Sequence, residues 1–483
     1  MSRLGWRYRR RRGERAGRLS DRYSTPQPNV PGRGVVASYG LGFWGLVVAI
    51  GVLAGLAAAA LMELLFALQH LAWSYHSGSF LHAVEQTSAG HRIAILAIAG
   101  LLAAGGALAL RRLRGFGGGE VSEALWLHDG RLPVRRSVSR GILSVSVVAL
   151  GASLGREGAP QLAGAAFASR LCERFGIPRW QRRLLVACGA GAGMAAVYNV
   201  PLGGALFALE VLLGTVTLPL VLPALATSLT ATAVAWLALP ISPVYRIPSY
   251  GVSGSQIAWA AIIGPLAGVA AIAWVRLVSR AHEVRLHGWG RAIAPIATLT
   301  ALGAIAIAYP QLLGNGQDTV LLAVTGGLAA SLLAILFVLK PLVTAACLGS
   351  GAPGGLFTPT LTFGVLFGGL LGDAWTQLWP GAPAGSYAII GGAAVLAASM
   401  QGPLAATVLM LELAHHTDTL MVPILLAVTG ATVVARLAGA PSIYSARLGR
   451  ADRGEGGERP DYGLLAGHEE IEQLAQPSPL PDR

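Results

Sequence analysis

Apolar runs as long as a bilayer is thick recur along this chain, and they leave little choice of fold. Residues 39–73, 218–239 and 319–348 each exceed the roughly 20 residues that span a hydrocarbon core. Composition agrees. Hydrophobic residues make up 54% and charged residues 12%, with a mean hydropathy of +0.59, whereas soluble domains carry about a quarter charged residues. The chain reads as an all-α polytopic membrane protein. Its three cysteines, Cys172, Cys188 and Cys347, lie in or beside apolar segments, fit neither a disulfide framework nor metal spacing, and read as packing residues.

One apolar run is broken in an informative way. Leu154–Gln161, LGREGAPQ, joins an apolar span ending near Leu150 to a small-residue helix. Gly155 and Gly158 permit a tight turn, and Pro160 suits a first helical turn because its missing N–H costs nothing there. Arg156 and Glu157 therefore sit at a break between hydrophobic segments. Ionisable groups at membrane depth are costly and point to function. The free N–H groups of the following helix would welcome an anion or the Glu157 carboxylate.

The formal charge of +13 gathers at the edges. Residues 1–33 hold ten arginines, including Arg9–Arg12. Such a tail suits nucleic acid or, by the positive-inside rule, a cytoplasmic arm beside anionic lipid. The second is preferred, so no nucleic-acid partner is expected. No cleavable signal peptide is expected before the first span. Arg111, Arg112 and Arg114, then the cluster from Arg174 to Arg183, then Arg280–Arg291, also read as cytoplasmic. These place both termini there.

The chain repeats itself. Residues 189–210, GAGAGMAAVYNVPLGGALFALE, and 391–412, GGAAVLAASMQGPLAATVLMLE, agree at eight of 22 positions without a gap. The matches include Pro201 with Pro403, Leu202 with Leu404, and Glu210 with Glu412. Chance among Ala/Gly-rich helices supplies alanine matches but not Pro-Leu and Leu-Glu at one offset. Ala152-Ser-Leu-Gly155 with Gly158-Ala-Pro160 likewise answers Ala346-Cys-Leu-Gly349 with Gly351-Ala-Pro353, and the glycine turn at 117–119 answers that at 314–316. Interrupted helices at matching places in two halves predict inverted-topology repeats with a midplane site at helix ends. The expected organisation is a basic tail (1–36), repeat one (37–240), a proline-rich linker (241–254), repeat two with a final pore helix (255–450), and a short polar tail (451–483).

These motifs resemble the CLC family of chloride channels and chloride/proton antiporters. Gly155-Arg156-Glu157-Gly158, with Ala159 ahead of Pro160, matches the family's Gly-Arg-Glu-Gly-Pro. Gly355-Leu356-Phe357-Thr358-Pro359 matches its Gly-x-Phe-x-Pro. Asn199–Glu210 matches its Asn-x-Pro-Leu-x-Gly-x-Leu-Phe-x-x-Glu helix, and Tyr444 matches its late tyrosine. The resemblance runs from about Gly40 to Leu448. It implies that Glu157 is a gate whose carboxylate occupies an anion site until protonated or displaced. It implies an anion path past Phe116, Gly117, Arg156, Gly158, the N–H groups of Leu356 and Phe357, and the Tyr444 hydroxyl. A membrane-interface anchor is the other use for Tyr444.

There are two departures from the family pattern. Aligned on Glu120, Phe116 replaces the serine whose hydroxyl touches the anion in Gly-Ser-Gly-Ile-Pro-Glu. Val211 stands at the internal proton-site position, where antiporters often carry a glutamate. The expected function is therefore chloride or similar anion transport, passive or weakly proton-coupled. A chloride/proton antiporter and a secondary transporter of another anion are the alternatives. The resemblance also implies a multi-pass cell-membrane homodimer with a pore in each subunit, anions and protons as its small partners, and no cofactor. An enzyme would need a nucleophile or metal cluster, and none appears among the apolar segments except Glu157. His415, His416 and Asp418 could suggest a metal site, but they lie at a predicted loop, need a further partner, and read as loop residues. Glu210 and Glu412 read as structural. Lys340, the only lysine, is expected to snorkel to the interface.

Overall fold

A computed structural model describes residues 39–113, 120–414 and 418–447. The tails 1–36 and 451–483, Phe116, Gly117, His415 and His416 lie outside the described residues, as does the side chain of Asp418. What is described belongs to one compact unit. Its first half holds α1 (Leu41–Trp73), α2 (Phe80–Gln86), α3 (Ala89–Arg111), α4 (Val121–Leu127), α5 (Val134–Ala149), α6 (Gly158–Arg174), α7 (Arg179–Tyr198), α8 (Pro201–Leu206, continued by a π-helical turn, Phe207–Leu212) and α9 (Leu218–Ala235). Its second half holds α10 (Gly254–Glu283), α11 (Gly290–Ile305), α12 (Gln317–Val324), α13 (Ala330–Ser350), α14 (Phe357–Leu378), α15 (Ala384–Met400), α16 (Pro403–Leu413) and α17 (Met421–Leu437). Five of these helices (α1, α3, α9, α10 and α13) are long and apolar enough to cross a bilayer.

With α2 set aside, the two halves run in the same order, α1 matching α10 and α3–α9 matching α11–α17. Packing repeats with them. In α1, Gly51 and Gly55 let α9 approach so closely that a Cβ on Gly55 would lie 2.9 Å from Val234 Cβ. In α10, Gly264 and Gly268 do the same for α17, with 2.9 Å to Val434 Cβ. Small residues at four-residue spacing are the usual means of close helix contact in lipid, where apolar burial alone gives no driving force. The ends of α7 and α15 also correspond. Asn199 (φ 56°) and Gln401 (φ 58°) are left-handed C-caps, after which Pro201 and Pro403 start the next helices.

Two contacts bind the halves reciprocally. The breaks before α6 and α14 meet in an antiparallel bridge, Gly155 N–H donating to Gly355 O at 2.7 Å and Gly355 N–H to Gly155 O at 2.8 Å. Glu412 accepts from the N–H groups of Leu202 (3.0 Å) and Gly203 (2.6 Å), and Glu210 from those of Leu404 (3.2 Å) and Ala405 (2.6 Å). Each glutamate thus satisfies orphan donors at the start of the other half's helix. Such symmetric exchange is what two inverted-topology repeats require, and it accounts for the shared Pro-Leu and Leu-Glu.

The structure corrects two expectations. Residues 319–348 are not one span. The chain leaves α12 at Thr325, Gly326 takes φ 75°, and Gly327 N–H closes the turn on Leu322 O at 2.7 Å before α13 begins. This repeats the α4–α5 break. Lys340 does not snorkel. It is 1% exposed and donates to Leu312 O (3.0 Å) and Gly314 O (3.2 Å), tying α13 to the glycine turn. The linker 241–254 is also packed down: Tyr245 N–H donates to Leu413 O at 2.9 Å, and Tyr245 and Tyr250 are buried.

Candidate functional site

The site grows from the Gly155–Gly355 bridge. With the two breaks fixed side by side, Glu157, the N-cap of α6, faces the start of α14. Its side chain is 1% exposed. Oε1 accepts the Phe357 N–H at 2.8 Å, while Oε2 accepts from the Tyr198 hydroxyl (3.0 Å) and the Thr358 hydroxyl (3.2 Å). Tyr198 and Thr358 Oγ1 are themselves 2.6 Å apart. A carboxylate therefore occupies a seat made of one helix-terminal N–H and two hydroxyls, donors that suit any compact anion.

A cavity opens beside this seat. It is lined by Glu157, Gly158, Leu356 and Tyr444, together with Glu120, Ser122, Arg140 and Arg447. Tyr444 places its ring edge-on against Phe207, with 5.7 Å between centroids. The Glu157 carboxylate thus lies between the wall formed by α14 and the cavity.

Of the residues singled out from sequence, Glu157, Gly158, Leu356, Phe357 and Tyr444 come together here. Arg156 is not on the cavity wall. Its guanidinium lies 5.4 Å from the Tyr198 ring centroid and 6.0 Å from that of Phe66, so it bears on Glu157 through Tyr198. Val211 is buried in the π-helical turn, 4% exposed, and is not on the wall; its neighbour Leu212 is. Phe116 and Gly117 lie outside the described residues. Among the described residues no cluster of His, Cys, Asp and Glu could hold a metal ion. Tyr198, Thr358, Arg140 and Arg447 are participants that sequence reading missed. The first two sit inside quoted motifs, one residue before Asn199 and one after Phe357. Nothing local marks the arginines.

A multi-pass membrane protein made of two inverted repeats, with broken helices meeting at a buried carboxylate on N–H and hydroxyl donors, is a transport protein of the CLC architecture. The chain belongs to the voltage gated chloride channel family, whose model matches residues 95–436. It is 32% identical over 414 residues to the voltage-gated ClC-type chloride channel ClcB of Citrobacter koseri, covering 82% of this chain and 96% of that relative. It is 33% identical over 413 residues to the ClcB of Salmonella typhimurium, with the same coverage. Among solved structures it resembles a slow cyanobacterial Cl−/H+ antiporter with a TM-score of 0.73 at 22% identity, over 84% of this chain and 97% of that one. A CLC-type fluoride/proton antiporter follows with a TM-score of 0.68 at 21% identity, over 84% and 99%. These two likenesses establish the fold. Members of the family are channels or transporters.

Proposed function

We propose that this chain carries chloride, or a similar small anion, across the cell membrane, and that Glu157 is its gate. The observation that carries the proposal is the seat itself. The Glu157 carboxylate sits on the Phe357 N–H at 2.8 Å and on two hydroxyls, so one negative group stands where another would be held. Protonation weakens its hold on those donors, and an incoming anion competes for them. Gly158, the Leu356 and Phe357 N–H groups and the Tyr444 hydroxyl form the anion's path in this scheme. Arg156 acts by holding Tyr198. Phe116 and Gly117 belong to the same path by sequence alone.

Flux is passive or weakly proton-coupled. Val211 cannot carry a proton, and it is packed in the core rather than facing the cavity. Both termini are cytoplasmic by the arginine-rich loops. A homodimer with a pore in each subunit is the assembly the resemblance implies.

Chloride efflux from liposomes holding the purified protein tests the gate. At saturating chloride, Glu157→Gln, which mimics the protonated form, and Glu157→Ala, which removes the plug, both abolish the pH dependence of flux. Wild-type pH dependence in both variants would overturn the assignment.

A further inference from the structure

The cavity wall carries neutral hydrogen-bonding groups that the protein itself leaves unmet. Ser122 of α4 and Gln161 of α6 both line the cavity beside Glu157, and they are 2% and 7% exposed. Ser122 Oγ and Gln161 Nε2 are each buried without a hydrogen-bond partner among the described residues. Arg447 Nε is a third such group on this wall, but its guanidinium is already ion-paired with Glu120. A buried unmet donor costs free energy, and a partner arriving in the cavity recovers it.

The start of α6 explains why the amide is free. Gln161 N–H donates to Glu157 O at 3.2 Å, so the two residues stand one helical turn apart on one face. A glutamate and a glutamine so placed can bond to each other. Glu157 instead uses both carboxylate oxygens on Phe357, Tyr198 and Thr358. Four residues of helix rise about 6 Å, so Gln161 serves a position one turn along α6 from the gate. The last torsion of a glutamine is broad, which lets the amide turn towards an acceptor at small cost. Its Nε2 only donates, so its partner must accept, and a serine hydroxyl can donate to the same partner. The charged residues of the wall, Glu120 and Glu157 against Arg140 and Arg447, cancel in formal charge. Neutral donors are therefore left to decide what this part of the cavity holds.

We propose that the Gln161 amide and the Ser122 hydroxyl are contacts for a permeating monovalent anion, held in the cavity one helical turn from the Glu157 seat. Nε2 and Oγ each donate a hydrogen bond to the anion, and no proton is transferred. Bonds from neutral donors to a charged acceptor are strong enough to replace part of the anion's hydration. Lacking a full positive charge, they also let it leave, as conduction requires. The contact is built from side chains on α4 and α6, whereas the gate's seat takes its donors from Tyr198 and the start of α14. The inference rests on the anion-transport function proposed above.

The test is thermal unfolding of the purified full-length protein in detergent, in chloride and in gluconate at matched ionic strength, with chloride affinity measured by calorimetry. Bound chloride raises the midpoint by mass action. Gln161→Leu keeps most of the side-chain bulk and removes the donor. In gluconate it should unfold at or above the wild-type midpoint, because an unmet buried donor is gone. In chloride it should lose most of the wild-type rise, and its chloride affinity should fall by roughly tenfold or more, the loss of one hydrogen bond to a charged partner. Ser122→Ala should weaken chloride binding in the same way. A merely structural glutamine predicts the opposite pattern, a lower midpoint in both salts with unaltered affinity, and that result overturns the contact. Unaltered affinity in both variants overturns it too, since the two donors then hold water. Gln161→Leu should also weaken chloride binding in a Glu157→Ala background. If its effect disappears there, the amide's partner is the displaced carboxylate rather than chloride, and the contact fails. Absence of chloride flux from wild-type liposomes defeats the transport function and the contact with it, whereas intact flux with unaltered affinity in both variants defeats the contact alone.

Discussion

Replacing Gly355 with alanine should open the pathway without touching the gating carboxylate. A Cβ at Gly355 would lie 2.6 Å from the Glu157 carboxyl carbon and 3.0 Å from the Gly158 nitrogen, and closer still to Oε1. Non-bonded carbons rest at about 3.5–4.0 Å, so the carboxylate must retreat by roughly 1 Å. Its 2.8 Å bond from the Phe357 N–H would then stretch past hydrogen-bonding range. The Tyr198 and Thr358 hydroxyls can rotate after it, so one charge-assisted bond is the loss to count. That is about 1.5–3 kcal/mol, or roughly a 10- to 150-fold shift towards the displaced carboxylate. Chloride efflux from liposomes, followed against external pH, reads this directly: Gly355→Ala should flux at the rate of Glu157→Ala and lose most of its pH dependence. Combining Gly355→Ala with Glu157→Ala removes the clash with the carboxyl and leaves only the 3.0 Å approach to the Gly158 nitrogen, so a double variant that matches Glu157→Ala shows that the Gly155–Gly355 bridge survives. Wild-type pH dependence in a folded Gly355→Ala protein would refute the claim that the seat holds Glu157 shut.

The reciprocal caps and the buried lysine give two stability tests. Glu210→Gln and Glu412→Gln each weaken two N–H contacts at equivalent helix starts, so each should cost about 1–2 kcal/mol. Thermal unfolding in detergent should show similar drops, and a severe loss in one with none in the other would break the two-fold equivalence. Lys340→Met leaves the carbonyls of Leu312 and Gly314 without this donor and should cost about 1–3 kcal/mol in the same assay; an unchanged midpoint would show that the lysine does not anchor the glycine turn.

Much of the architecture is legible because membrane burial writes itself into composition. The spans, the broken site at Gly155–Gly158 and the halves matched at Pro201/Pro403 and Glu210/Glu412 can be read from the letters. The break between α12 and α13 cannot. Residues 319–348 carry only one charge, Lys340, and Gly326-Gly327 inside such a run does not distinguish a turn from a helix packed closely on a neighbour. Lys340 misleads for a related reason: its carbonyl partners lie 26 and 28 residues earlier, and nothing in the local sequence shows that they face it. At the site, Glu157 announces itself as a charge in an apolar setting. Tyr198 and Thr358 do not, because their hydroxyls reach Glu157 across 41 and 201 residues of chain. Arg156, adjacent to Glu157, looks like an anion ligand until its guanidinium is found beside the Tyr198 and Phe66 rings rather than on the cavity wall.

The central claim is a gated anion path with at most weak proton coupling. Its most direct test loads wild-type protein into liposomes and records chloride and external pH together as a gradient of one ion is imposed. An outward chloride gradient should drive chloride efflux with little accompanying proton movement. An imposed proton gradient on chloride-equilibrated liposomes should fail to accumulate chloride. Absence of chloride efflux would contradict the anion path. Uphill chloride accumulation that persists with Val211 intact and stops in Glu157→Ala would instead establish an antiporter.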